Sequence, residues 1–383
     1  MGCNSNVNKT GHPNLFPIDG SDPVLVRRVT VGPPAEPYPA SAELYLVGSN
    51  VDDQVNLVHL YSGNGFGFGY AYGTLMKQEM TEVVDAFWSY TIAQIDEAIN
   101  SSVPWLPQPF TDNVAKFGVE VALDIQNDLV APFMEPSWYE EMQGMAAATG
   151  ISYQKIVRMH MLPEITKGHC TFIGLTGKAT VNGVTLQTRQ LDYSMHSWIQ
   201  NHPTVVIYHP VNNATLGYPF ANVGWAGVIM TLSGMSSNQL GISEIGISYP
   251  NYPPAFGDES PSGIPFAFME RKLLQFAKSI DDQIAMISNA NRTCRLILGI
   301  ADGKAGEARL VQYSHSVVRF FNGSNLEPPW HRGTPGSTQR TTLLCTSLWT
   351  GTAPPITPLP PRSCRSTTGA SPLKFSSLTS SPS

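Results

Sequence analysis

The spacing of apolar and polar residues changes several times along the chain, and each change predicts an element. From Glu43 to Leu60 the runs LYLVG and VNLVHL alternate with the period of a strand. The next stretch, GNGFGFGYAYG, interleaves glycine with aromatic residues, a pattern that implies close approach of another backbone. Helical spacing then runs through Thr74–Asn100, Asn113–Phe133 and Trp138–Ala148, with Gly150 suited to end the last helix and Ser152 suited to cap a further one over Tyr153–Met161.

After Gly168 the period returns to two. The segment CTFIGLTGKATVNGVTLQTRQLDY carries Asn182-Gly183 between valines, a hairpin signal, and further strands are predicted over Thr204–Tyr208, Gly227–Thr231 and Leu240–Ser248. Pro265–Ala290 reads as one long helix or a broken pair, and Arg295–Ile300 with Ala308–Tyr313 as a hairpin across Asp302-Gly303. Residues 1–40, rich in proline and polar residues, read as an extended arm, and 41–327 as one α+β domain whose helical lead-in, 41–169, precedes sheets over 170–327. From about Pro328 the Ser/Thr/Pro-rich composition predicts a disordered tail over 328–383, which fits both a natural linker and a wrong reading frame.

Composition narrows the function. An apolar fraction of 42% over 383 residues supports a packed core, while 14% charged residues, a net charge of −6 and no basic cluster beyond Arg27-Arg28 exclude a nucleic-acid footprint. Gly65, Gly67 and Gly69 do not satisfy the dinucleotide spacing, no GKS or GKT follows them, and there is neither HExxH nor G-x-S-x-G. No cofactor and no metal are therefore expected. The cysteines Cys3, Cys170, Cys294, Cys345 and Cys364 form no CxxC pair, so neither a zinc knuckle nor a dense disulfide framework is expected. Acceptor sequences for N-glycosylation at Asn8, Asn100, Asn213, Asn291 and Asn322 point to a secretory route, although no signal peptide and no transmembrane run is visible. Gly2 and Cys3 invite acylation, but Asn6 stands where the myristoylation pattern takes Ser or Thr.

The chemistry concentrates in one segment. Cys170-Thr171 opens a strand, Asn182-Gly183 turns it, and Arg189-Gln190-Leu191-Asp192-Tyr193 follows. In this order they resemble the nucleophile hairpin of the acid ceramidase, choloylglycine hydrolase and penicillin acyltransferase (peptidase C45) families of cysteine N-terminal-nucleophile hydrolases. The upstream run EMQGMAAATGISYQKIVRMHMLPEITKGHC and the downstream GWAGVIMTLSGMSSNQLGISEIGIS extend the likeness over about residues 40 to 320.

The resemblance implies a four-layer αββα sandwich of two mostly antiparallel sheets. It also implies self-cleavage between His169 and Cys170 into α and β fragments, and hydrolysis, or less readily acyl transfer, of a small-molecule amide with a hydrophobic acyl group. By resemblance Arg189 contacts the thiolate or substrate, Asp192 the new α-amine, and Asn238 the oxyanion, although strict spacing would put Ser236 there and a second family asparagine falls on Ser314. It implies a lysosomal or secreted location. The chemistry is self-consistent: a terminal cysteine carries a nucleophile and, in an amine of pKa about 7.7 to 8.0, its own base. The competing expectation is a non-catalytic secreted glycoprotein that keeps the fold as a binding module.

A strict two-residue turn at Asn182-Gly183 would pair Arg189 with Thr176, roughly 20 Å from Cys170. The register must therefore shift, with Gly177 the expected place. Because Arg189 and Asp192 are an odd number of residues apart, one of them must sit where the strand ends or twists.

Overall fold

The computed structural model describes residues 23–31, 40–48, 54–100, 108–165, 169–247, 256–322 and 342–346. The chain is α+β, with a ten-stranded mixed sheet, helices against it and a separate three-stranded sheet. The large sheet begins with β1 (Val24–Val31), β2 (Ala40–Val47) and β3 (Val55–Ser62). It continues through β6 (Pro203–Pro210), β7 (Phe220–Trp225), β8 (Ser233–Ser236), β9 (Leu240–Ile245), β10 (Leu296–Asp302), β11 (Glu307–Tyr313) and β12 (Val318–Phe321) in that spatial order. Among the described strands only β3 and β6 pair in parallel, and a helical lead-in separates them in sequence, as a parallel connection requires. Part of the expected arm is thus an edge strand, β1.

The lead-in comprises α1 (Gly65–Leu75), α2 (Lys77–Asn100), α3 (Gln108–Phe117), α4 (Val119–Val130), α5 (Pro136–Thr149) and α6 (Tyr153–Ile165). The glycine-aromatic run is therefore a helix, and its glycines recur every fourth residue along one ridge against α5. A Cβ at Gly69 would stand 1.8 Å from the Glu141 carbonyl oxygen, and one at Gly65 2.1 Å from that of Ser137. The predicted backbone approach is real, but between helices. The predicted 113–133 helix breaks at Gly118, whose φ is 86°.

Ala42, Leu44, Val58, Leu60, Val206 and Tyr208 alternate with half-exposed neighbours and bury one sheet face in the main core. The strand predicted over Gly227–Thr231 does not form. The Ile229 amide donates to His160 Nε2 and the Thr231 amide to the Ala267 carbonyl, so neither is free for a ladder. Of the two readings of 265–290, the broken pair is the one that forms, as α7 (Phe266–Phe276) and α8 (Ile280–Asn289), the second capped by Ser279.

The small sheet is β13 (Thr342–Thr346), β4 (His169–Leu175) and β5 (Leu186–Asp192), all antiparallel. The tail expected to be disordered thus supplies the backbone of one strand, and its other residues lie outside those described. The small sheet packs on β9, β10 and β11 through Phe172, which seats against Gly299: a Cβ there would lie 2.2 Å from the ring. Gln187 Nε2 donates to Ser243 Oγ and to the Gly299 carbonyl, both at 2.9 Å, pinning β5 to β9 and β10. Burying a ring of this size contributes about 2–3 kcal/mol to the docking.

Candidate functional site

The β4–β5 ladder pairs His169 with Asp192, Cys170 with Leu191, Phe172 with Arg189 and Leu175 with Leu186. The ladder stops there, and residues 176–185 form the connection. Gly177 (φ 56°) opens one turn of 3-10 helix, and Asn182 and Gly183 (φ 59° and 70°) make the left-handed corner. The glycine expected to shift the register lies in this longer connection. Its effect is to bring Arg189 to the residue next but one from Cys170 across the ladder, on the same face of the sheet.

Cys170 is completely buried, in a cluster with Phe172, Ile245, Ala301, Ala308 and Leu310. Arg189 Nη2 donates to Cys170 Sγ at 3.1 Å and to Glu244 Oε2 at 2.6 Å, while its Nε donates to the Glu244 carbonyl at 2.7 Å. The thiol itself lies 3.4 Å from the same Glu244 oxygen, to which it donates. Sulfur, guanidinium and carboxylate thus form a closed triangle. Arg189 and Glu244 are nearly buried, so water screens the triangle little.

Burial first, and then the Glu244 charge, push the Cys170 thiol up to about 12, against the opposing pull of Arg189. In the uncleaved chain the sulfur is therefore protonated at neutral pH. Burial opposes the charge of Arg189, but Glu244, Cys170 and Glu270 together outweigh it and hold the guanidinium above its usual range.

Sequence reasoning missed Glu244. Its signal is one acidic residue inside the apolar alternation LGISEIGIS, a placement that a buried strand tolerates only with a partner. A second buried acid, Glu270 on α7, is electrostatically coupled to Glu244 and Arg189.

The other expected site residues are not gathered here. Asp192 closes β5 with its side chain exposed, accepting from Gln190 Nε2, and it meets Cys170 only through the backbone pairing of its neighbour His169. Asn238, in the turn between β8 and β9, donates through Nδ2 to the Ala277 carbonyl at 3.0 Å. Ser236 is buried on β8, and Ser314 is engaged with Val317. Among the described residues Cys170 and Cys294 are outside any disulfide, and no helix is long and apolar enough to cross a membrane.

A second buried polar cluster lies between α5, α7 and β6. Arg271 Nη2 donates to Glu141 Oε2 at 2.6 Å, Tyr208 donates to Glu141 Oε1 at 2.8 Å, and Trp138 Nε1 donates to Gln275 Oε1 at 3.1 Å. The hollow beside it, bounded by Gly65, Phe68, Tyr208, Phe220 and Arg271, has no room for a water molecule and lies apart from Cys170.

Dictyostelium discoideum protein dcd1A is 34% identical over 332 residues, which is 85% of this chain and 71% of that protein. Protein dcd1B of the same organism is 32% identical over 308 residues, 80% of this chain and 58% of that protein. No protein-family model matches. Similar solved structures include a Caenorhabditis elegans N-acylethanolamine-hydrolyzing acid amidase ortholog, at 15% identity and TM-score 0.33, covering 46% of this chain and 70% of the other. A mutant conjugated bile acid hydrolase from Clostridium perfringens aligns at 19% identity and TM-score 0.30, covering 40% and 51%. Overlap this partial carries no argument about function.

Proposed function

This chain belongs to the family of Dictyostelium discoideum protein dcd1A, and we propose that it is a self-processing amidohydrolase whose nucleophile is the Cys170 thiol. The observation that carries the reading is the triangle in which one guanidinium nitrogen of Arg189 contacts both Cys170 Sγ and Glu244 Oε2. A structural thiol needs neither a buried cation nor a buried carboxylate, whereas a nucleophilic one needs a proton acceptor and a counter-charge.

In the first step Sγ attacks the carbonyl carbon of His169. The thiol proton passes to Glu244, and Arg189 offsets the charge that develops on sulfur. Collapse breaks the His169–Cys170 carbon–nitrogen bond, the nitrogen takes the proton, and water hydrolyses the resulting thioester. Cys170 is left with a free α-amine. Asp192, the ladder partner of His169, is assigned to that ammonium. The same sulfur then attacks a non-peptide amide, the departing amine leaves with a proton, and water releases the acid from the acyl-thioester. Asn238 enters as an oxyanion donor only through the resemblance.

A small-molecule substrate with a hydrophobic acyl chain fits the apolar surroundings of Cys170. The four-layer sandwich and a lysosomal or secreted location belong to the same reading. Incubating the full chain with a cysteine-directed amide probe tests it: wild type is labelled at Cys170 and Cys170→Ala is not. Complete burial of Cys170 favours the second reading, a non-catalytic glycoprotein, and an intact chain that never takes up the probe would establish that instead.

A further inference from the structure

We propose that Glu270 is a positioning residue of the Cys170 site: its carboxyl, buried without a hydrogen bond on the helix that packs against the strand of Glu244, holds a proton whose loss opposes thiolate formation, and so sets the pH range in which Cys170 reacts. The inference rests on the reading of Cys170 as the nucleophile.

Five acidic residues are buried among the described ones: Glu141, Glu164, Glu244, Glu270 and Asp302. Four of them are engaged. Glu141 takes Arg271 and Tyr208, Glu164 the Phe266 amide, Glu244 Arg189, and Asp302 the amides of Ile280, Lys304 and Ala305. Glu270 alone leaves both carboxyl oxygens without a hydrogen bond, at no exposure to solvent. Its helix, α7, packs on β9, the strand that carries Glu244, and the charges of Glu244 and Arg189 reach it. An orphaned buried acid next to a nucleophile's own carboxylate is an expensive arrangement for a purely structural helix to keep.

The groups around α7 are few. Glu244 comes from β9, Arg189 from β5 and Tyr313 from β11, the last with a buried hydroxyl that also lacks a hydrogen bond. From α6 come His160, held by the Ile156 carbonyl and the Ile229 amide, and Glu164, held by Phe266. From α8 comes Asp282, which accepts from the Lys278 amide. β7 and β8 bring no titratable side chain. Among the described residues Arg189 is thus the cation whose charge reaches both Glu244 and Glu270, and burial together with the Glu244 charge keeps the Glu270 carboxyl protonated well above the ordinary carboxylate range.

With the Glu270 carboxyl protonated, Arg189 balances the single charge of Glu244 and can offset a developing thiolate. When rising pH removes that proton, two carboxylates compete for the guanidinium and thiolate formation is opposed. Loss of the Glu270 proton therefore appears in the behaviour of sulfur.

The test is the pH dependence of iodoacetamide alkylation at Cys170 in the full chain, read by peptide mass for wild type, Glu270→Gln and Glu270→Asp. Glu270→Gln is expected to alkylate about tenfold faster near pH 9, a shift of about one unit in thiol titration, and Glu270→Asp to follow wild type. Glu270→Met serves if the glutamine variant fails to fold, with the same expectation. Profiles that superpose, unlabelled thiols included, overturn the proposal. If self-cleavage before Cys170 occurs with superposed profiles, Glu270 alone is wrong. If the profiles separate but no cleavage or probe labelling is seen, the coupling stands and the amidohydrolase reading falls.

Discussion

Among the described residues two buried arginine–glutamate pairs occur, and they differ in how completely their neighbours are used. Around Arg271 the ionised groups are satisfied: Glu141 has both oxygens bonded, Arg271 also donates to the Ile229 carbonyl, and Tyr208, Phe220 and Trp138 surround the guanidinium at 4.8, 5.5 and 5.9 Å. Around Arg189 the pair carries a thiol at its centre and an unbonded acid behind it. A closed network fixes a fold, because no member can change state without cost. An open one can take up and release a proton, which is what a nucleophile's surroundings must do.

The contrast predicts different outcomes for equivalent damage. Arg271→Met leaves Glu141 buried without its cation and should cost about 3–5 kcal/mol of stability by chemical denaturation, most of it regained in Arg271→Met with Glu141→Met. The matching double replacement of Arg189 and Glu244 by methionine should regain stability but no self-cleavage or hydrolysis. Recovery of activity there would erase the distinction.

Glu244→Gln keeps the volume and loses the proton acceptor, so self-cleavage followed by time-resolved mass should slow by about 10²–10⁴, and Arg189, left buried without its carboxylate, should cost about 3–5 kcal/mol of stability as well. His160 sharpens the comparison on the side of the fold. Burial lowers its imidazole to about 4, so its contribution is present above about 6.5 and lost as pH falls through 4. Up to about 3 kcal/mol should disappear over that window in wild type and stay in His160→Gln, as seen in denaturation curves at a series of pH values. The smallest effect is expected at Gly299, where alanine must displace the Phe172 ring. About 1–3 kcal/mol of stability should be lost there, and self-cleavage slowed more than the stability loss explains, because Phe172 shares its strand with Cys170.

Much of the local structure could be read from periodicity. The helical lead-in, the strands β4 and β5 and the β10–β11 hairpin follow from spacing and turn residues, and the glycine run gave its physical meaning, close backbone approach. Long-range pairing was less legible. That Arg189 reaches Cys170 depends on a connection longer than the Asn-Gly corner, which composition does not specify. Glu244 stayed hidden because its partner comes from a different sheet, 55 residues earlier. The bond that Asn238 makes, its amide donating to the Ala277 carbonyl 39 residues on, is likewise not visible in local spacing.

The most direct test is intact-mass analysis of the purified chain beside Cys170→Ala. The account predicts two fragments from wild type, one ending at His169 and one beginning at Cys170, and a single whole chain from the variant. An uncleaved wild-type chain that hydrolyses amides, or cleavage that persists in Cys170→Ala, would contradict it.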